Sequence, residues 1–303
     1  MSDKLKTRWF QTPTSSSSLG YATRFYMKVF QSLKADESLN LSAQLAPLKT
    51  NWYLTEKTTA RWHKVFNYQT TAPQAFTYSA PAGVWALMQV LEDLGIKFSR
   101  IMHLRSHLLL TSPDGFEVNA HYTTNVRYMG ARPLRSRSVA LIFRSEVRDV
   151  RGREIMQLED ELYVGGLPED FVAQLSSEHT KVPQAQRNDI AIDNPVADQI
   201  PVSIGRRLGS QYGKLSGDLN PLHISSIGAR LLGHSGSFVQ GLCTANLLLA
   251  TLGTHWRRSV RSLTMEFKRP VPQPAKLTLI CTLDQFSLID SKKRVLVTGS
   301  YIC

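Results

Sequence analysis

Two long apolar segments, residues 79–95 and 241–256, each lead into a series of β-rich runs, and this order, met twice, narrows the fold more than any other feature. The first reads S-A-P-A-G-V-W-A-L-M-Q-V-L-E-D-L-G. A hydroxyl cap, a proline in the opening turn, an apolar body and a closing Gly95 predict a largely buried helix. Runs at residues 101–110, 116–128, 138–150 and 153–164 follow, separated by turn signals at Ser112-Pro113-Asp114-Gly115 and at Gly152. After the second segment come strand-like runs at residues 259–271, 276–285 and 294–302. An antiparallel sheet with one solvated face must bury its other face, and a helix wrapped by a curved sheet does this most simply. Two such units side by side would meet edge to edge and remove exposed strand edges. No residue-level repeat accompanies the pattern, so the duplication is inferred from element order alone.

At 303 residues the chain has room for both units. The expected layout is an N-terminal arm and helix over residues 1–50, a first unit over 51–165, a linker over 166–200 and a second unit over 201–303. The arm holds the polar Ser15 to Ser18 run, followed by Phe25, Val29, Phe30 and Leu33 near helical spacing. Trp52, Tyr53, Trp62, Val65 and Phe66 give residues 51–67 an amphipathic character, read as a helix or its border. Pro168, Pro183 and Pro195 mark the linker.

The charge balance is strongly basic, 36 Lys and Arg against 24 Asp and Glu, which favours anionic partners. The basic residues are scattered in short pairs such as Arg206-Arg207, Arg257-Arg258 and Lys292-Lys293, with no basic helix, zinc-finger spacing or ribonucleoprotein signature. Nucleic acid is therefore not an expected partner. Cys243, Cys281 and Cys303 are odd in number and lack a CxxC spacing, and no charged-then-apolar leader opens the chain, so a cytoplasmic location is expected. The apolar stretch at residues 242–252 is broken by Thr244, Asn246 and Thr251, and no membrane span is expected.

The densest chemistry lies in Tyr212-Gly-Lys-Leu-Ser216-Gly217-Asp218-Leu-Asn220-Pro221-Leu-His223. A helical run over residues 204–215 is expected to end at Ser216-Gly217, where glycine lets the backbone turn Asp218 inward, and Asn220-Pro221 forces a second turn before His223. A carboxylate and an imidazole held on one short loop can share a water, one withdrawing a proton while the other delivers one, as addition of water across a double bond requires. Asn220 would hold that water or the loop. An isolated Asp and His five positions apart also suit a turn cap and a packed core histidine; the surrounding residues decide between the readings.

Those residues resemble the MaoC-like, (R)-specific enoyl-CoA hydratase family, also called hydratase 2: an aromatic, a short gap, the Leu-Ser-Gly-Asp-x-Asn-Pro-x-His core and a small residue beyond it, here Ala229. The likeness continues through Gly233, the segment from Gly236 to Ala245, and Phe267-Lys-Arg-Pro-Val271. It covers about residues 200–303. The resemblance implies an α+β double hot-dog fold, two antiparallel sheets each wrapped around a central helix, with a first half that has lost its catalytic loop and makes room for an acyl chain. It implies a lyase of fatty-acid metabolism that interconverts trans-2-enoyl and (R)-3-hydroxyacyl thioesters, carried by coenzyme A or by acyl carrier protein, with no cofactor. Asp218 and His223 would form the dyad, Asn220 would orient the water, and the Gly241 backbone N–H would polarise the thioester carbonyl. Ser216, Gly217, Gln240, Leu242, Lys268 and Arg269 would contact substrate, and a homodimer is left open. The family usually has His before the helix-starting glycine, where this chain has Gln240. A glutamine that props the loop can replace it, because it also donates and accepts; the alternative function is a non-catalytic acyl-thioester-binding hot-dog protein.

Other features are read as structural. His103 and His107 have a helical metal-ligand spacing but stand in a strand-like run without a third ligand, so no metal is expected. Cys243 occupies a small-residue position of an apolar helix and is expected to pack in the core. Gly228, Gly233, Gly236 and Gly241 lack the preceding strand and the spacing of a dinucleotide fingerprint. Lys268, Arg269, Arg257, Arg258, Arg206 and Arg207 are candidates to meet coenzyme A phosphates.

Overall fold

The structure is a computed structural model that describes residues 8–9, 45–67, 80–96, 101–170, 172–173 and 197–303. The expected helix over residues 21–33 and most of the linker lie outside these residues. In chain order the elements are strand β1 (Arg8–Trp9), β2 (Leu48–Leu54), helix α1 (Glu56–Phe66), α2 (Ala80–Asp93), β3 (Ile101–Leu110), β4 (Ala120–Arg135), β5 (Ser138–Asp149) and β6 (Glu154–Gly165). There follow β7 (Asp198–Ile204), α3 (Leu208–Ser216), α4 (Pro221–Ile224), α5 (Ser226–Leu231), α6 (Gly241–Trp256), β8 (Ser262–Phe267), β9 (Ala275–Cys281), β10 (Gln285–Asp290) and β11 (Val295–Ile302).

Among the described residues all strands join one eleven-stranded sheet in the order β1-β2-β4-β5-β6-β3-β8-β11-β10-β9-β7. Apart from β1, each half has the same plan: a strand, a helical stretch that ends in the central helix, then four strands, with the strand after the helices at the centre of the sheet and the strand before them on the outside. The halves meet where β3 and β8 pair antiparallel, Arg105 opposite Glu266 and Leu108 opposite Leu263. This is the expected edge-to-edge arrangement of two hot-dog units.

Helix α6 fills the hollow of the second half. Cys243, Ala245, Leu248, Leu249, Ala250 and Leu252 are all buried, packed in one cluster with Leu263, Met265, Leu279, Phe286 and Val297 from the surrounding strands. A separate cluster packs Ala86, Val90 and Leu91 of α2, with Leu94 just after it, against Val126, Val139, Leu141 and Phe143. Each buried aliphatic side chain contributes about 1.5–3 kcal/mol relative to exposure, and helix residues buried on almost every side explain the apolar character that marked these segments in the sequence.

Three expectations need correction. Residues 51–67 are not one helix: Trp52 and Tyr53 belong to β2, and Thr55 then caps α1 by accepting from the Thr58 N–H at 3.0 Å. The run over 204–215 is likewise divided, because Ile204 closes β7 and the helix starts at Leu208. The strand β10 was not anticipated. Its Phe286, Ser287, Leu288 and Ile289 are buried in succession, so it lacks the in-out alternation by which a half-exposed strand is recognised.

Replacing Leu248, 1% exposed at the centre of α6, by Ala should cost about 2–5 kcal/mol of unfolding free energy in urea denaturation. Leu283→Ala, at a residue 79% exposed, should change it by less than about 0.5 kcal/mol.

Candidate functional site

The loop between α3 and α4 is built by its own short-range bonds. Helix α3 ends as Gly217 takes a left-handed conformation at φ 81°, which residues with a Cβ adopt only at a cost. The Asp218 N–H then donates to Ser216 Oγ at 3.2 Å, and the Asn220 N–H donates to Asp218 Oδ1 at 3.2 Å. Asn220 Oδ1 accepts from the Leu222 N–H at 3.1 Å, and Pro221 occupies the first position of the helix that this cap opens. Asn220 thus holds the loop through its carbonyl oxygen.

His223 lies at the far end of that turn, with Nε2 4.0 Å from Asp218 Oδ2. Its Nδ1 is 2.9 Å from the Phe238 carbonyl oxygen, which can only accept, so the proton sits on Nδ1 and the neutral ring presents an unprotonated Nε2. Burial lowers the imidazole's affinity for its second proton; the charges of His234 and His103 act in the same direction, while Asp218 and the Phe238 bond oppose them. The ring is held edge-on to Phe238 at a centroid distance of 5.0 Å. A separation of 4.0 Å exceeds a direct hydrogen bond, so the carboxylate and the imidazole stand as separate groups facing one space.

Two glutamines fix the backbone of this pair. Gln240 Nε2 donates to the Asp218 carbonyl at 3.0 Å and to the Gly209 carbonyl at 3.2 Å. Gln273 accepts from the Gly209 N–H at 2.8 Å and donates through Nε2 to the His223 carbonyl. Gln240 therefore props the loop and bonds to neither the Asp218 carboxylate nor the His223 ring; its Oε1 is buried without a partner. Sequence reasoning missed Gln273, which stands in an otherwise unremarked stretch between Pro272 and Pro274.

Asp218, Asn220, His223, Gln240, Gly241 and Leu242 line one cavity of about 220 Å³. Lys268 and Arg269 line it too, as do Leu87, Leu91, Ile101 and Leu162 of the first half. Ser216 and Gly217 do not line it and instead form the turn behind the loop. Lys268 is paired with Glu266 at 2.8 Å, and Arg269 donates to the Val295 carbonyl at 2.8 Å. Gly241 opens α6, where the first amides have no acceptor within the helix and the helix dipole is positive. Cys243 lies one turn in; burial first, and Asp218 second, push its thiol well up, which removes thiolate character at neutral pH.

The first half adds His103 and Asp160 to the cavity wall. His107, by contrast, shares a 2.8 Å hydrogen bond with Thr264 across the central strand pair. A register shift between His103 and Arg105 separates the two histidines, since a bulge turns a side chain to the opposite face. Asp160 carried a legible signal: in Met156, Leu158, Asp160, Leu162 and Val164 it is the one polar residue of an inward-facing apolar row. Among the described residues no group of His, Cys, Asp and Glu could hold a metal ion, and no helix is long and apolar enough to cross a membrane.

If His223 holds its second proton more weakly than an ordinary imidazole, the unfolded chain takes that proton up first as pH falls below about 6.5. Unfolding free energy should then fall with pH below that point, and His223→Gln should reduce the slope. Urea denaturation at a series of pH values, with the His223 ring followed by NMR, measures both.

Residues 187–302 match the model of the MaoC like domain. A search of curated protein sequences finds no match. Among solved structures, HtdX from Mycobacterium tuberculosis is 18% identical with a TM-score of 0.61, over 83% of this chain and 97% of that one. A MaoC-like dehydratase from Phytophthora capsici is 13% identical with a TM-score of 0.63, over 86% and 97%. The peroxisomal multifunctional enzyme type 2 of Drosophila melanogaster is 15% identical with a TM-score of 0.61, over 95% of this chain and 52% of that one. At these identities the neighbours establish the fold: the chain is a double hot-dog protein, and its second half, which holds the Asp218–His223 loop, is similar to the MaoC like domain.

Proposed function

We propose that the protein catalyses reversible hydration of trans-2-enoyl thioesters to (R)-3-hydroxyacyl thioesters. The observation that carries this reading is the placement of Asp218 and His223 4.0 Å apart on one cavity wall, beside the N-terminus of α6. In hydration, His223 Nε2 takes a proton from water as its oxygen bonds to C3. The C2–C3 electron pair moves toward the thioester oxygen, and the dyad returns a proton to C2. The Gly241 N–H stabilises the charge on the thioester oxygen; losing one such donor costs about 100- to 1,000-fold in other enzymes. Dehydration runs the same steps backwards.

The apolar lining of the cavity, at Leu87, Leu91, Ile101 and Leu162, suits an acyl chain. Lys268 and Arg269 in the same lining suit a phosphate-bearing carrier, coenzyme A or the phosphopantetheine of acyl carrier protein. The role of Gln240 favours a working site over a binding-only one. Its amide reaches backbone carbonyls on both sides of the loop, so the residue supports the dyad without entering the proton transfers.

The purified protein should hydrate enoyl-CoA substrates drawn from short, medium and long chains. Asp218→Asn and His223→Gln should each lower kcat by about 100- to 10,000-fold, the usual weight of general acid–base catalysis, with thermal unfolding of Asp218→Asn unchanged. Failure of the wild type to turn over any enoyl thioester would refute the proposal. Calorimetric binding of acyl-CoA without turnover would instead establish a binding protein.

A further inference from the structure

Three polar side chains of the first half meet on the inner, otherwise apolar face of the sheet. Asp160 Oδ1 accepts from Ser106 Oγ at 2.5 Å and lies 2.9 Å from His103 Nε2, while Ser106 Oγ is 2.7 Å from the same nitrogen. Both partners engage one ring nitrogen, and Ser106 is fully buried, so this is not a nucleophile–base–acid relay. The arrangement fixes the ring instead. Phe267 packs on it at a centroid distance of 5.0 Å, and Nδ1 is left directed at the start of α6.

The contact there is close. A Cβ added to Gly241 would fall 2.2 Å from His103 Nδ1 and 2.6 Å from Cγ. The imidazole edge and the opening turn of α6 therefore share one corner of the cavity that also holds Asp218 and His223. A single proton on the ring belongs on Nε2, facing the Asp160 carboxylate; a second proton makes Nδ1 a charged donor aimed at that corner. A carboxylate set in an apolar row is not an efficient source of stability, because a packed apolar replacement is often as stable or more so.

We propose that His103, held by Asp160 and Ser106, is a catalytic residue that donates Nδ1–H to the thioester oxygen alongside the Gly241 amide. This rests on the hydratase reading and adds to it a second oxyanion donor, supplied by the half that lacks the dyad. The charged groups facing the same space are Asp160 from β6, Asp218 and His223 from the loop, and Lys268 and Arg269 after β8. Burial is the main cause that lowers the affinity of His223 for a second proton, with His234 and then His103 adding to it, and this leaves Nε2 of the dyad histidine available as a base.

The test uses a saturated acyl-CoA labelled with carbon-13 at the thioester carbonyl, which binds but has no double bond to hydrate. Its carbonyl stretch in the wild-type complex should move to lower frequency than in solution. His103→Leu and Asp160→Asn should reverse much of that shift and lower kcat about 100- to 1,000-fold with little change in KM. His103→Gln keeps an N–H in nearly the same volume and should retain part of both, which decides the matter if the leucine variant does not fold. A wild-type carbonyl frequency and kcat in His103→Leu, or in His103→Gln together with Asp160→Asn, overturns the proposal. If the wild type shifts the carbonyl through His103 yet hydrates no enoyl thioester, the oxyanion role stands and the hydratase reading falls.

Discussion

The antiparallel pairing of β3 with β8 is the constraint on which the molecule turns. It closes the inner edge of both halves, which would otherwise expose unpaired N–H and C=O groups, and it brings the strands that follow the two central helices side by side. The cavity consequently has walls from both copies: loop, dyad and helix start from the second, apolar side chains and a histidine–aspartate pair from the first. Neither half encloses that space by itself.

Within the second half, precision comes from backbone anchoring. The carbonyls of Asp218 and His223 each accept from a glutamine amide, and both glutamines also bond to Gly209. Space at Gly209 is limited, since a Cβ would fall 2.4 Å from the His223 carbonyl oxygen. A dyad separated by 4.0 Å cannot hold itself in place through a direct bond. The surrounding amides set its spacing, which is the preorganisation that acid–base chemistry on a loop requires.

Much of this was legible in the sequence for identifiable reasons. The bounds of α6 follow from a glycine start and an apolar body, and the Ser216-Gly217 and Asn220-Pro221 turns were read from residues whose local bonding is well defined. What escaped notice depends on long-range geometry. The bulge in β3 moves His103 to the face opposite Arg105, a change that no counting of alternate residues can reveal. Gln240 and Gln273 act through carbonyls 22 to 50 positions away in sequence. The strand β10 hid because both its faces are covered.

The inward-facing Asp160 has a consequence for how this protein can change over time. A carboxylate, a buried serine and a histidine occupy positions where aliphatic side chains would fit the row on either side. Selection for heat resistance alone would therefore press on these sites early, trading the polar trio for oil and leaving the fold sturdier and the cavity mute. A lineage that keeps all three under such pressure is being held to them by what the cavity does.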